Sequence, residues 1–523
     1  MLNVLTLLIS TLLSVQNCPL VPNPMFSEAV GETFTLHQDV RIIYDKEFRS
    51  SAEFLQGELH RYLDVTSILA DVHPDRASEG IVLRVGSCST NPEHYSIDMN
   101  SECVVIEAAT ESGFINGMMS FIQLARLSQC KDCKIVMDCW KIRDEPRYEW
   151  RGFMLDEARH FFGKEKVKQL LDWMSFYHLN KFHWHLSDTQ GWRIVINKYP
   201  RLANVGGIGE CGNPDAPAKF YTQDDIREIV SYASARSIEI IPEIDMPGHA
   251  SAAVRAYPEY NGGGKKSNPT YTFNPAKDET YSFLSDILSE VDVLFPSQII
   301  HIGGDEVDSA HPAWEINPDI QNLRKSEGLE TLKDVETYFC CRIADSLYKR
   351  NNKVAVWDEM ADSELDRERT IMFFWRPQET EQLQKALDKG YPVVFCPDTP
   401  MYFNYANDTT QVHGVPWKKL GPNYYWQVYD FECTAYDVKY PADSRILGVQ
   451  ANLWTERVWT GNRLDYLLFP RIAALAETAW TAKENKNLDD FNDRLVMQFE
   501  LYRKDEVYFY NPFDKSEIGE PVK

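Results

Sequence analysis

A chain of 523 residues in which 44% of side chains are apolar is long enough for a large buried core and more than one domain, so a disordered or low-complexity protein is excluded. Its formal net charge of −24, with no lysine- or arginine-rich stripe to offset it, opposes binding to nucleic acid or to an anionic membrane.

From Val4 to Val15 the N-terminus is apolar, interrupted only by Thr6, Ser10, Thr11 and Ser14. The run is too short to cross a hydrocarbon layer of ~30 Å. It suits the core of a signal peptide over residues 1–18, cleaved near Gln16 to Cys18, although no basic residue precedes it. The expected destination is the secretory pathway, lysosomal or secreted, with no membrane span in the mature chain. There are 11 cysteines. The spacing of Cys130, Cys133 and Cys139 suggests zinc, but no matching histidine or second CxxC follows, and disulfides are the stronger expectation for an exported chain. Cys340 and Cys341 are adjacent in a helical pattern, so at least one stays free or pairs elsewhere. Asn407-Asp408-Thr409 is the sole usable glycosylation sequon, Asn268 being blocked by Pro269, and a glycan is expected on Asn407.

Residues 19–146 read as a small α+β domain. Val40–Tyr44, Ile81–Val85 and Cys103–Glu107 look like strands, while Ser51–Leu63 and Gly113–Leu127 have helical periodicity. No chemistry clusters there, and Asp144-Glu145-Pro146 forms a boundary. Over 147–523 strands and helices alternate. Eight strand-like runs are predicted: Arg151–Leu155, Lys181–Leu186, Ile238–Ile244, Gln298–Ile302, Lys353–Trp357, Thr370–Trp375, Tyr391–Cys396 and Ile446–Trp454. Helical patterns at Lys164–Tyr177, Thr222–Ser234, Asp334–Tyr348, Glu381–Lys389 and Leu464–Trp480 separate many of them. Eight such units make an α/β TIM barrel.

The fourth run, QIIHIGGDEVD from Gln298 to Asp308, is broken by Gly303 and Gly304 and ends in adjacent carboxylates, Asp305 and Glu306. Alternating strand residues face opposite ways, so both acids can serve one site only if the strand stops at the glycines. Polar and aromatic residues recur at the other strand ends: Arg151 and Asp156, His185 and Asp188, Asp245 and His249, then Trp357, Trp375, Tyr402, and Trp454 with Glu456. Any one of the tryptophans is more often core, but recurrence at most of the ends points to one mouth.

The segments RGFMLDEARHF at 151, KFHWHLSD at 181, EIDMPGH at 243, HIGGDEV at 301, VWDE at 356, FFWR at 373 and LWTE at 453 together resemble the glycoside hydrolase family 20 β-N-acetylhexosaminidases, and the eukaryotic lysosomal or secreted branch in particular. The resemblance implies an exo-enzyme removing terminal β-linked GlcNAc or GalNAc from a glycan or glycoconjugate with retention, through an oxazolinium formed by the substrate's own acetamido group. It makes Glu306 the general acid, with a raised pKa, and Asp305 the group that orients the acetamido nitrogen. Trp357, Trp375 and Trp454 would wall the acetamido methyl, and Tyr402 would donate to its oxygen. Arg151, Asn404 and Glu456 would hold ring hydroxyls, and Asp188 with His249 would form a relay behind Glu306. No cofactor and no metal are implied. His183 and His185 are the competing metal reading and lack a third ligand. Dimerisation stays open, a homodimer being the assembly to test.

Two departures from the family matter. Ala310-His311 stands where relatives often carry a cysteine, so their disulfide pattern does not transfer. Asn404-Tyr405 replaces an acid or an arginine of some relatives, which leaves substrate preference open. The alternatives are a lacto-N-biosidase-like glycosidase and a catalytically silent sugar-binding protein; a lectin has no need of the Asp305-Glu306 pair.

Overall fold

The computed structural model describes residues 17–522 apart from 71, 87, 132–133 and 416–420. The apolar N-terminal run lies outside them. Asn17 and Cys18, expected at the cleavage point, belong to the fold: the Asn17 amide donates to Asp490 at 2.6 Å and Cys18 is buried.

The N-terminal domain is one mixed sheet, ordered Phe26–Leu36, Lys134–Asp144, Tyr95–Met99, Cys103–Ala108, Gly80–Val85, Val40–Tyr44 and Ser67–Ala70, with a short strand Gln129–Lys131 beside the second of these. Its helices span Arg49–Leu63 and Glu111–Leu127. The second is capped by Thr110, whose hydroxyl accepts from Gly113 N, and it is buried along almost its whole length. The edge strand Phe26–Leu36 carries no apolar run because most of its side chains face solvent, which is why sequence pattern alone passes over it. At the joint between domains, the buried Asp144 carboxylate accepts from Tyr95 Oη at 2.8 Å and Trp480 Nε1 at 2.9 Å.

All eight predicted barrel strands form, and they close in order: β1 (Trp150–Asp156), β2 (Lys181–His185), β3 (Glu239–Met246), β4 (Ile299–Gly303), β5 (Lys353–Trp357), β6 (Thr370–Phe374), β7 (Val393–Phe395) and β8 (Ile446–Leu453), which returns to β1. The interior is packed by Trp150, Ile241, Ala355, Phe373 and Val394. The last predicted helix is two, Gly461–Leu468 and Arg471–Trp480, because Pro470 supplies no amide hydrogen and crowds the preceding turn. Helices Asp278–Leu294 and Leu488–Lys504 are additional to the sequence reading.

Two expectations about the secretory chemistry change here. Among the described residues nine cysteines are free, including Cys139, Cys340 and Cys341, so no disulfide staples these parts of the fold; the side chains of Cys130 and Cys133 lie outside the description. Asn407 is 2% exposed, its amide donates to the Tyr466 carbonyl at 3.1 Å, and Gln411 binds its backbone N–H. The nitrogen that would carry the glycan is thus buried and engaged by a backbone carbonyl, at odds with the expected modification. Mass spectrometry of protein made in a glycosylating host is expected to find Asn407 unmodified; a folded, active form with glycan there would contradict this placement.

Candidate active site

β4 stops where expected. Gly303 and Gly304 take positive φ of +73° and +93°, and a Cβ on Gly303 would fall 1.8 Å from Asp245 Oδ1 of the neighbouring strand, so only glycine permits this approach. The turn then separates the two acids. Asp305 is 8% exposed, with Oδ1 buried and without a protein partner, whereas the Glu306 side chain is 57% exposed. Glu306 itself adopts the left-handed region at φ +51°, and His249 does so at φ +53°, strain of the kind stored at functional sites.

His249 joins the acids. Its Nε2 lies 3.5 Å from Asp305 Oδ2 and 3.6 Å from Glu306 Oε2, and its Nδ1 is 3.0 Å from Asp188 Oδ1. Burial works against charge on this ring, but Asp188, Asp305 and Asp245 outweigh it and hold the imidazole protonated well above its ordinary range. Burial pushes the Asp305 carboxyl up to about 7. For Glu306 the sequence-based expectation of a raised value fails: the neighbouring imidazolium of His249 holds this partly exposed acid below its ordinary range.

Beside this cluster is a cavity of about 180 Å³. Trp357 is buried in its wall, its Nε1 donating to Glu243 Oε1 at 3.0 Å. The ring of Trp375 stacks on Tyr402 with centroids 6.2 Å apart and planes 11° from parallel, and its Nε1 donates to Glu359 at 3.1 Å. Trp454 lies 6.1 Å from Trp357 and 6.2 Å from Tyr402, closing the aromatic ring of walls. Asn404, with its Oδ1 buried and unpartnered, lines it together with Tyr405, Arg159 and Glu456. Past Glu306 the cavity opens into a cleft of about 660 Å³ bordered by Lys265, His311, Lys333 and Arg376.

Arg151 is not in the site. It lies at the start of β1, the opposite end of the strand from the mouth, and is 1% exposed. Its guanidinium pairs with Glu93 of the N-terminal domain, donates to the carbonyls of His178 and Tyr148 at 2.8 Å each, and covers the Trp480 ring at 5.0 Å. The arginine at the mouth is Arg159, three residues beyond the end of β1. Its Nη2 is 2.8 Å from Asp188 Oδ2 and 3.9 Å from Glu456 Oε1, and its guanidinium sits 4.9 Å from the Trp454 ring centre. Strand direction would have found it, since catalytic groups follow the C-terminal end of a barrel strand. Sequence pattern alone also misses Glu243 and Glu359, which accept from the indoles of Trp357 and Trp375. Arg151→Met is expected to destabilise the fold by roughly 3–5 kcal/mol, because it strands the Glu93 carboxylate, while leaving KM near wild type. Arg159→Met should raise KM, and it should also lower the melting temperature because it strands the buried Asp188 carboxylate. Steady-state kinetics on the pair separates them, and a raised KM in Arg151→Met with an unchanged KM in Arg159→Met would restore Arg151 to the site.

His183 and His185 both point into the barrel onto Glu243 Oε2, at 2.9 and 2.5 Å. The other nitrogen of His183, Nδ1, lies 3.0 Å from Gln450 Nε2, and the third ligating group that the sequence did not show is present, since His183 with Glu243 and His301, and His185 with Glu243 and Asp245, have the spacing of metal ligands.

A parallel eight-stranded barrel whose mouth joins a carboxyl pair to an aromatic-walled cavity has the architecture of a glycoside hydrolase. The model of the glycosyl hydrolase family 20 catalytic domain matches residues 148–483, and that of the family's domain 2 matches residues 17–145. A β-hexosaminidase of Porphyromonas gingivalis is 32% identical over 492 residues, covering 91% of this chain and 62% of that protein. The β-hexosaminidase subunit beta of Homo sapiens is 29% identical over 422 residues, covering 78% of this chain and 70% of that one. A crystal structure of a family 20 exo-β-N-acetylglucosaminidase from Vibrio harveyi, in complex with N-acetylglucosamine, superposes with a TM-score of 0.87 at 29% identity, covering 96% of this chain and 79% of that one. The chain belongs to glycosyl hydrolase family 20.

Proposed function

We propose that the protein is an exo-β-N-acetylhexosaminidase that hydrolyses terminal non-reducing β-linked GlcNAc or GalNAc with retention. The observation that carries this reading is the buried, unpartnered Asp305 Oδ1 at the edge of the Trp357, Trp375, Tyr402 and Trp454 walls. An acceptor with no donor is costly in a buried site, and a substrate amide N–H satisfies it. The acetamido methyl then sits among the aromatic rings, and the Tyr402 hydroxyl donates to the amide oxygen, holding it in attack geometry beneath the anomeric carbon. As that oxygen attacks, positive charge develops on the amide, and ionised Asp305 stabilises it. Glu306 gives its proton to the leaving oxygen, then removes one from the water that opens the oxazolinium. His249, fixed by Asp188, governs the charge beside it. Arg159, Asn404 and Glu456 bind ring hydroxyls, and the cleft beyond Glu306 takes the remainder of the glycan.

The names borne by relatives support the substrate class, and the intact carboxyl pair argues against a silent sugar-binding protein. A secretory destination of the lysosomal or extracellular type is part of the same proposal and rests on the apolar run from Val4 to Val15. No helix among the described residues is long and apolar enough to cross a membrane.

A panel of aryl β-glycosides tests the activity. Turnover of the GlcNAc or GalNAc glycoside with negligible turnover of the glucoside is expected, because glucose lacks the internal nucleophile. Efficient hydrolysis of a lacto-N-biose glycoside but not the monosaccharides would favour the disaccharide-releasing alternative.

A further inference from the structure

Asp188 does not stand alone beneath His249. Its Oδ2 lies 2.8 Å from Arg159 Nη2 and 3.0 Å from His185 Nε2, and the second nitrogen of His185, Nδ1, lies 2.5 Å from Glu243 Oε2. Glu243 is a fully buried residue of β3. Its other oxygen accepts from Trp357 Nε1 at 3.0 Å, with His301 Nδ1 also at 3.0 Å. One carboxylate inside the barrel thus touches both the histidine that supports the relay and the indole that walls the cavity.

Charge explains why the arrangement holds. Burial favours a neutral Glu243, but His301, His185 and His183 outweigh it and keep the carboxyl well below its ordinary range. Burial likewise opposes charge on His185, and Glu243 with Asp188 overcomes it. The charged groups facing His185 are Glu243 and Asp245 from β3, Asp188 behind β2 and Arg159 behind β1; the Trp454 ring closes edge-on at 5.0 Å. An imidazolium held by two carboxylates has one orientation, and the hydrogen bond at one ring nitrogen settles what the other can do.

We infer that Glu243 is a positioning residue for both halves of the site: through His185 it fixes Asp188, and so the His249 ring beside Glu306, and through Trp357 it fixes a wall of the acetamido cavity. The inference rests on the hexosaminidase reading. Carboxylates that orient metal-binding histidines in the same way are worth about 10- to 100-fold in activity, and a loss of that order is expected here.

Three variants separate the two arms. Glu243→Gln keeps the shape and removes the charge, His185→Gln cuts the arm to Asp188, and Trp357→Phe removes the indole donor of the other arm. For each, kcat, KM and the pH profile are measured with an aryl β-N-acetylglucosaminide, the affinity with a thiazoline mimic of the cyclic intermediate, and folding by thermal melt. Without an imidazolium at 185 the charge of Asp188 is less opposed, so His249 keeps its proton to higher pH and the basic limb moves upward. Glu243→Gln is expected to lower kcat about 10- to 100-fold, move that limb and weaken thiazoline binding. His185→Gln should move the limb and lower kcat while leaving thiazoline affinity, and Trp357→Phe should weaken thiazoline binding and lower kcat without moving the limb. A Glu243→Gln enzyme with wild-type profile and thiazoline affinity, changed only in melting temperature, overturns the inference. If that variant fails to fold, an unmoved limb in His185→Gln overturns it. A wild-type enzyme inactive on the glycoside would instead remove the hexosaminidase reading, a result distinguishable from either.

Discussion

Glu306→Gln is expected to lose roughly 10²- to 10⁴-fold in kcat on an alkyl β-N-acetylglucosaminide while keeping its fold, the usual share of general acid catalysis. An alkoxide is a poor leaving group and needs the proton, whereas a nitrophenolate needs little, so the loss should shrink as the leaving group improves. The side chain is half exposed and its one close charged neighbour is His249 at 3.6 Å, so the amide is tolerated without a buried penalty. The position of Glu306 also carries a pH consequence. The imidazolium holds the uncovered carboxyl below its ordinary range, and desolvation by a bound glycan would act in the opposite direction. Near-wild-type turnover of the alkyl glycoside by the variant would remove Glu306 from the role.

Asp305→Asn is expected to cost about 10²- to 10³-fold in kcat, the usual effect of deleting one preorganised group that stabilises developing charge. The loss should appear with activated and unactivated leaving groups alike, because Asp305 serves the internal nucleophile and not the departing oxygen. That contrast separates the two neighbouring acids. Burial pushes the Asp305 carboxyl up to about 7, and only its ionised form can accept the amide N–H and stabilise the cation. Below that pH the free enzyme carries the proton there, so kcat/KM should fall on the acid side with this group, and the Asn variant should lack that limb. A variant whose loss tracks leaving-group ability would mean that Asp305 assists proton donation instead.

The barrel is legible because its strands are buried on both faces and read as apolar runs, and because glycines or polar residues mark the ends. The edge of the N-terminal sheet escapes for the opposite reason, since Phe26–Leu36 is largely exposed. Most of the mouth is legible as residues following strand ends. Arg151 shows the limit: it belongs to the same motif as Arg159, but one opens β1 and the other follows it, so motif membership without strand direction chooses the wrong end. Asn407 shows another, because a sequon reports three residues and burial depends on contacts with Tyr466 and Gln411. Glu243 stays hidden as one acid inside an apolar strand, its meaning set by histidines from β2 and β4 that only the closed barrel brings together.

The central claim is that the nucleophile belongs to the substrate. Its most direct test is kcat/KM across aryl β-glycosides whose N-acyl group is made progressively poorer in electrons, from acetyl through mono-, di- and trifluoroacetyl. Fluorine changes the size of the group little and weakens its oxygen as a nucleophile, so a steep, monotonic fall is expected, with the trifluoroacetyl compound slowest. Rates that stay flat across the series would contradict the account and require a nucleophile from the protein.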